Sequence, residues 1–132
     1  MLAPWTDQYV GIPYRHGGRD RSGCDCWGLV RLVLDEQFGV VLPTLAGKYE
    51  PRTDEYARMV CETTPLIPTI RVVVPSLGDI ALLTVRGTPC HVGIYVGGGY
   101  MLHTLFSHDS ALDRAFGPRW SKATEGYYRV KF

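Results

Sequence analysis

Residues 25–38 carry the clearest helical pattern of the sequence, and no other segment limits the possible folds as strongly. Asp25 suits the N-cap of this helix, and Gly39 suits the position just past its end. The apolar residues recur at helical spacing and predict one buried stripe, formed by Leu29, Val30, Val33, Leu34 and Phe38.

The pattern changes from helical to alternating at residue 70. Alternating or short apolar runs predict strands over residues 70–74, 79–85, 91–96, 100–106 and 127–132. A helix followed by a meander of strands predicts an α+β fold with an antiparallel sheet. The length of 132 residues suits a single domain spanning residues 1–132.

The remaining segments give weaker predictions. Residues 4–10 suit a short helix, and residues 15–24, rich in Arg, Gly and Asp, suggest a loop. A second helix is predicted over residues 53–62, with Cys61 buried in it as a small apolar residue.

Composition and charge exclude several functional classes. The net charge of +1 gives no reason to expect a nucleic acid partner, and Arg15, Arg19 and Arg21 are interpreted as a solvated loop. No apolar run reaches the roughly 18 residues that span a bilayer, so no membrane insertion is expected. The N-terminus lacks the basic start and apolar core of a signal peptide, which predicts synthesis in the cytoplasm and transport to any outside surface by another carrier, such as a virion or phage-like particle tail.

The four cysteines are Cys24, Cys26, Cys61 and Cys90. Without an export signal, free thiols are expected rather than disulfides. The spacing of Cys24 and Cys26 leaves one residue between them, where structural zinc pairs have two to four. No metal or cofactor is therefore predicted, although a zinc site from Cys24, Cys26, His16 and Cys90 stays open as an alternative.

Cys26 is the candidate nucleophile. It follows the predicted N-cap, so it occupies the first helical position, where the helix dipole and the unpaired N–H groups favour a thiolate. The thiolate is the nucleophilic form of cysteine. A buried structural cysteine is the alternative for an isolated residue of this kind.

Two histidines strengthen the catalytic interpretation, because they lie on the two arms of one predicted hairpin. A three-residue turn at Gly97–Gly99 puts His91 and His103 on one face as diagonal neighbours. A two-residue turn would put them on opposite faces. On the first arrangement, His91 is the base for Cys26 and His103 fixes its tautomer. His16 and His108 are interpreted as loop residues.

These residues lie within a recognisable pattern. The segments Gly-Ile-Pro-Tyr-Arg-His-Gly-Gly (11–18), Asp-Cys-Trp-Gly-Leu-Val (25–30) and His-Val-Gly-Ile-Tyr (91–95) resemble the signature of the NlpC/P60 cysteine peptidases. The resemblance extends from about Gly11 to Thr104.

The resemblance implies a papain-like fold and hydrolysis of peptidoglycan stem peptides, commonly between D-γ-glutamate and a diamino acid. It implies that Cys26 is the nucleophile, His91 the base and His103 the orienting third residue. It further implies substrate contacts by Tyr14 and by Asp25, the latter in competition with its use as a helix cap.

Several features set this chain apart from the usual family pattern. Trp27 stands where serine usually follows the nucleophile, and it is expected to reshape a substrate subsite. Together with the ending over residues 120–129 and the absence of a signal peptide, it resembles the branch found in tailed phages and gene transfer agents. That branch implies a place in a tail tip that opens the cell wall, with other tail-tip proteins as partners. A non-catalytic wall-binding component, or an amidase or acyltransferase on the same scaffold, is the alternative.

Overall fold

The computed structural model describes residues 2–44, 68–85, 88–105 and 108–131, without the side chains of residues 88–90. Within these ranges, a short 3₁₀ helix at Thr6–Tyr9 is followed by one long helix, one short helix and eight strands. In chain order these are β1 (Arg19–Asp20), β2 (Gly23–Cys24), α1 (Cys26–Phe38), β3 (Thr69–Val72), β4 (Ile80–Val85), β5 (Thr88–Gly97), β6 (Tyr100–His103), β7 (Ala111–Arg114), α2 (Pro118–Ser121) and β8 (Thr124–Val130).

Six of the strands form one antiparallel sheet in the order β3-β8-β4-β5-β6-β7. The predicted α+β fold is therefore confirmed. The predicted helix over residues 53–62 and residue 106 of the predicted strand 100–106 lie outside the described residues. The strand itself ends at His103, three residues earlier than predicted. No helix within the described ranges is long and apolar enough to cross a membrane.

The sheet separates two apolar clusters because successive side chains on a strand point to opposite faces. On one face, Val92, Ile94 and Val96 of β5 pack with α1. On the other face, Tyr95 of β5 joins a smaller cluster that contains Ala81, Leu83, Met101, Ala115, Trp120 and Tyr127. His91 alternates with Val92, so its ring lies on the face of the smaller cluster, in contact with Trp120.

Helix α1 has the predicted caps at both ends. The Asp25 carboxylate accepts a hydrogen bond from the Gly28 N–H at 2.9 Å, which satisfies one of the free donors of the first turn. At the other end, Gly39 adopts the left-handed conformation with φ 67°, and the Val40 N–H bonds back to the Leu34 carbonyl at 3.0 Å.

The buried surface of α1 is wider than the predicted stripe. Leu29, Val30, Val33 and Leu34 are buried as expected, but Trp27 and Leu32 are buried as well, whereas Phe38 is only partly so. A helix whose first two turns are enclosed almost completely has its N-terminal end fixed by packing on several sides.

The predicted loop over residues 15–24 is wrong in its second half, where β1 and β2 form a two-stranded antiparallel ribbon. Its pairing is too short to produce an alternating pattern. The ribbon packs beside the start of α1, and Gly28 is the contact point: a Cβ built there would lie 2.0 Å from the Gly18 carbonyl oxygen and 3.2 Å from the Cys24 Cβ.

We expect the Gly28→Ala variant to lose about 3 kcal/mol of unfolding free energy, measured by urea denaturation. Alanine normally stabilises a helix interior by up to about 1 kcal/mol relative to glycine. Here the backbone oxygen cannot move away as a flexible side chain could, so the ribbon and the helix must separate. Asp35→Ala, at an exposed position of the last turn, is the matched control and should be neutral or slightly stabilising. A stabilised Gly28→Ala protein would contradict the close packing.

Candidate active site

Cys26 is the first residue of α1, as predicted, and it is 4% exposed. The helix is 13 residues long, so its N-terminus presents aligned peptide dipoles to the sulfur. This position favours the thiolate over the thiol. Cys24 and Cys26 are both buried, and neither forms a disulfide.

The Asp25 carboxylate is fully buried and accepts several hydrogen bonds. One oxygen accepts from Gly28 N–H and from Arg19 Nη1, both at 2.9 Å, and the other accepts from Gly17 N–H at 3.0 Å. The helix-cap use of Asp25 is therefore confirmed. A substrate amine would have to compete with three protein donors for this carboxylate.

Arg19 was expected in a solvated loop with Arg15 and Arg21, and that interpretation is wrong for Arg19. Its side chain is only 12% exposed, pairs with Asp25 and donates from Nε to the Thr44 carbonyl at 2.6 Å. A buried carboxylate requires a partner, and Arg19 supplies the compensating charge beside the helix start. Arg21 pairs with Glu36 at 2.8 Å in a much more exposed setting.

Cys24 differs chemically from Cys26 although the two are separated by a single residue. Burial raises the pKa of the Cys24 thiol to about 12, with further contributions from the negative charges of Asp25 and Cys26. Cys24 thus stays protonated near neutral pH. The protonated thiol is a poor nucleophile, so the preference for Cys26 has an electrostatic basis.

Tyr14 lies beside the start of α1 through a parallel bridge to Cys24. Burial raises the pKa of its phenol, and the negative charges of Asp25 and Cys26 raise it further. The hydroxyl consequently keeps its proton and can donate a hydrogen bond close to the sulfur. The structure thus brings Tyr14, Asp25 and Cys26 together.

The hairpin of β5 and β6 places both histidines on one face, but not through the turn that the sequence suggested. Gly97 pairs with Tyr100, so the turn has two residues, Gly98 and Gly99, both with positive φ. A bulge between Tyr95 and Gly97 adds one residue to β5 and restores the expected register, with Ile94 opposite Leu102. The predicted three-residue turn is wrong, yet His91 and His103 share a face.

Gly93 provides the space for this pair. It lies opposite His103, and a Cβ added to it would be 3.2 Å from the His103 Cβ and 3.0 Å from the Leu102 carbonyl oxygen. The missing side chain leaves room for the two imidazoles to approach diagonally across the hairpin. Nε2 of His91 is hydrogen-bonded to Nδ1 of His103 at 2.9 Å.

Two residues that the sequence did not single out complete this cluster. Nε2 of His103 is 2.7 Å from Oδ2 of Asp113 on β7, and Nε1 of Trp120 donates to the same oxygen at 3.2 Å. The Trp120 ring also meets the His103 ring edge-on, with centroids 4.9 Å apart. No motif surrounds Asp113, and Trp120 belongs to the ending over residues 120–129, which predicted no role at the site. The pairing of β6 with β7 brings Asp113 to the histidines, whereas Trp120 lies on α2, which follows β7 in the chain.

Both imidazoles are buried and held in the neutral form. Burial, together with the neighbouring His103 and Arg119 charges, lowers the pKa of His91 to about 3. Burial also lowers the pKa of His103, and there the Asp113 hydrogen bond and charge act in the opposite direction. A neutral imidazole is the form that can accept a proton, so both rings are in the protonation state that a general base requires.

Trp27 occupies a different place from the one expected. Its ring is fully buried in the cluster beneath α1, and Nε1 donates to the Pro43 carbonyl at 2.8 Å. The ring therefore presents no surface to a substrate in this structure. His16 and His108 lie in turns and bends, as predicted.

Comparison with known proteins agrees with this architecture. The NlpC/P60 family model matches residues 11–129. The murein DD-endopeptidase MepS/murein LD-carboxypeptidase of Escherichia coli (strain K12) is 30% identical over 127 residues, covering 94% of this chain and 60% of that protein. The probable peptidoglycan endopeptidase LytE of Bacillus subtilis (strain 168) is 30% identical over 95 residues, covering 71% of this chain and 23% of that protein.

Solved structures share the fold. The NlpC/p60 domain of the peptidoglycan hydrolase SagA superposes with a TM-score of 0.62 at 24% identity, covering 96% of this chain and 92% of that one. This chain spans 60% of the length of MepS and 23% of the length of LytE. With a family model that matches almost its whole length, the chain belongs to the NlpC/P60 family.

Proposed function

We propose that this chain is a cysteine peptidase that hydrolyses peptidoglycan stem peptides, with Cys26 as nucleophile, His91 as base and His103 as the orienting residue. The observation that carries the proposal is the buried, hydrogen-bonded pair of His91 and His103 on a sheet packed against a helix that begins at Cys26. The substrate class is supported by the names of MepS, a murein DD-endopeptidase and LD-carboxypeptidase, and of LytE, a probable peptidoglycan endopeptidase.

The first half of the proposed reaction forms an acyl-enzyme. Nδ1 of His91 takes the proton of the Cys26 thiol as the sulfur attacks the carbonyl carbon of the peptide bond. Negative charge develops on the carbonyl oxygen, and the protonated Tyr14 hydroxyl is a candidate donor to it. The C–N bond then breaks, and His91 returns the proton to the leaving amine nitrogen.

The second half releases the product. A water molecule gives one proton to Nδ1 of His91 while its oxygen attacks the thioester carbon. The C–S bond breaks, the new carboxyl group leaves, and the proton passes from His91 to the Cys26 sulfur. The enzyme returns to its starting state, and no cofactor takes part in this scheme.

The scissile bond and the cellular setting form the finer part of the proposal. The bond between D-γ-glutamate and a diamino acid is assigned from the family resemblance, whereas the name of MepS specifies a DD bond. The resemblance of Trp27 and residues 120–129 to phage-type members supports a place in a phage-like tail tip. Co-sedimentation with particles, with loss of the signal after particle disruption, tests that location.

We expect the purified protein to release soluble fragments from peptidoglycan and to cut a stem tetrapeptide at the D-γ-glutamyl bond, identified by mass spectrometry. The same protein alkylated with iodoacetamide serves as the inactive control. Binding to the wall without products would instead support a non-catalytic wall-binding component. Transfer of the acyl group to an added amine in preference to water would support an acyltransferase.

A further inference from the structure

Asp113 ends a row of three polar side chains that crosses three neighbouring strands. His103 lies opposite Gly93, so His91 is its diagonal neighbour on β5. Asp113 pairs with Met101, so it is the diagonal neighbour of His103 on the other side. The three side chains therefore share one face of the sheet and are joined by hydrogen bonds of 2.9 and 2.7 Å.

The chemistry of these groups sets a direction for both hydrogen bonds. A carboxylate can only accept, so Nε2 of His103 must carry the proton that faces Asp113. Neutral His103 then has an unprotonated Nδ1, which must accept from the His91 Nε2–H. Neutral His91 is left with a lone pair on Nδ1. This is the atom that has to take the proton of the nucleophile in the proposed reaction.

We propose that Asp113 is a positioning residue that fixes the tautomers of His103 and His91, so that Nδ1 of His91 is the proton acceptor. The inference rests on the proposed function for its role in the reaction, although the proton arrangement itself does not. Without a carboxylate at this end, His103 could equally carry its proton on Nδ1. His103 would then donate to Nε2 of His91, and the proton of neutral His91 would lie on Nδ1.

Trp120 supports the same arrangement. Its indole N–H donates to the Asp113 oxygen that His103 also contacts, so two donors converge on one acceptor. Both donors hold that oxygen towards the histidines, although the Asp113 side chain is 42% exposed. The Arg119 guanidinium lies 4.6 Å from the Trp120 ring, and its charge contributes to the lowered pKa of both histidines.

Two substitutions separate the carboxylate's acceptor role from its charge. Asp113→Leu removes the acceptor. Asp113→Asn keeps one, because two converging donors favour its amide oxygen in the place of Oδ2. We expect nitrogen-15 NMR of the wild type to show both histidines protonated on Nε2, with Asp113→Asn retaining this pattern and Asp113→Leu showing mixed tautomers.

The kcat of each Asp113 variant should change in parallel with its histidine tautomers. In Asp113→Leu we expect kcat for stem-peptide hydrolysis to fall about 10- to 100-fold with KM little changed, since Asp113 is not expected to touch substrate. Asp113→Asn should recover most of the loss. Unchanged histidine tautomers in a folded Asp113→Leu protein would overturn the inference. An inactive wild type with the expected tautomers would instead count against the proposed function alone.

Discussion

The Cys26→Ala variant is expected to lose peptidoglycan hydrolysis, with kcat/KM reduced by about 10⁵-fold or more. Alanine removes the only atom that forms the acyl bond, while it keeps the helix start and its Asp25 cap. The remaining histidines could at most activate water. The measurement is release of stem-peptide fragments, quantified by mass spectrometry, with wall binding measured in parallel to establish that the variant is folded.

Cys24→Ala is the matched control, because the two thiols are separated by a single residue and both are buried. Burial raises the pKa of Cys24 to about 12, so its loss should leave hydrolysis close to the wild-type rate. Iodoacetamide near neutral pH should label Cys26 well before Cys24. Equal loss of activity in both variants would show that the cysteine pair acts as a structural unit and that neither is a nucleophile.

The position of Cys26 could be predicted because it depends on local rules. An acidic N-cap, a helical apolar pattern and a glycine after the last turn identify both helix ends without reference to the rest of the chain. The sheet order, in contrast, joins β3 to β8 and β8 to β4. Such pairings connect distant segments, and nothing in the local pattern of either strand specifies them.

The sequence correctly predicted that His91 and His103 lie on one face of the hairpin, but it predicted the wrong turn between the strands. Three consecutive glycines suit either a three-residue turn or a two-residue turn with a bulge, since each can adopt positive φ. The two solutions give the same register beyond Tyr95. The choice between them depends on local packing at the turn, which the sequence pattern does not encode.

The sequence predicted no role for Asp113 and the wrong position for Trp27, and both errors have a structural reason. Asp113 reaches His103 only because β6 and β7 pair in one register, and the four-residue strand β7 is too short to show a sequence pattern that predicts this pairing. Trp27 directly follows the nucleophile, so proximity in sequence suggested a substrate contact. On a helix, adjacent residues point about 100° apart, and the Trp27 ring turns into the core.

His91→Ala is expected to lower kcat/KM by about 10³- to 10⁴-fold, because the Cys26 thiol then loses its proposed base. His108→Ala, which removes an exposed bend histidine, is the matched control and should leave hydrolysis unchanged. Circular dichroism establishes that both variants keep the fold. Full activity in the folded His91→Ala protein would rule out the base assignment.

The pH dependence of kcat/KM tests whether His91 stays neutral below the ordinary histidine pKa. Its pKa is lowered to about 3 by burial and by the His103 and Arg119 charges, so the neutral base persists at pH values well below the ordinary histidine pKa of 6.5. A group with a lowered pKa loses its base form only as pH falls through that lower value. Wild-type kcat/KM should therefore stay constant from pH 7 down to about pH 5. At the lower of these values an ordinary histidine would be mostly protonated. An acid limb centred near 6.5 would mean that water reaches the imidazole and that the buried, neutral pair does not exist in solution.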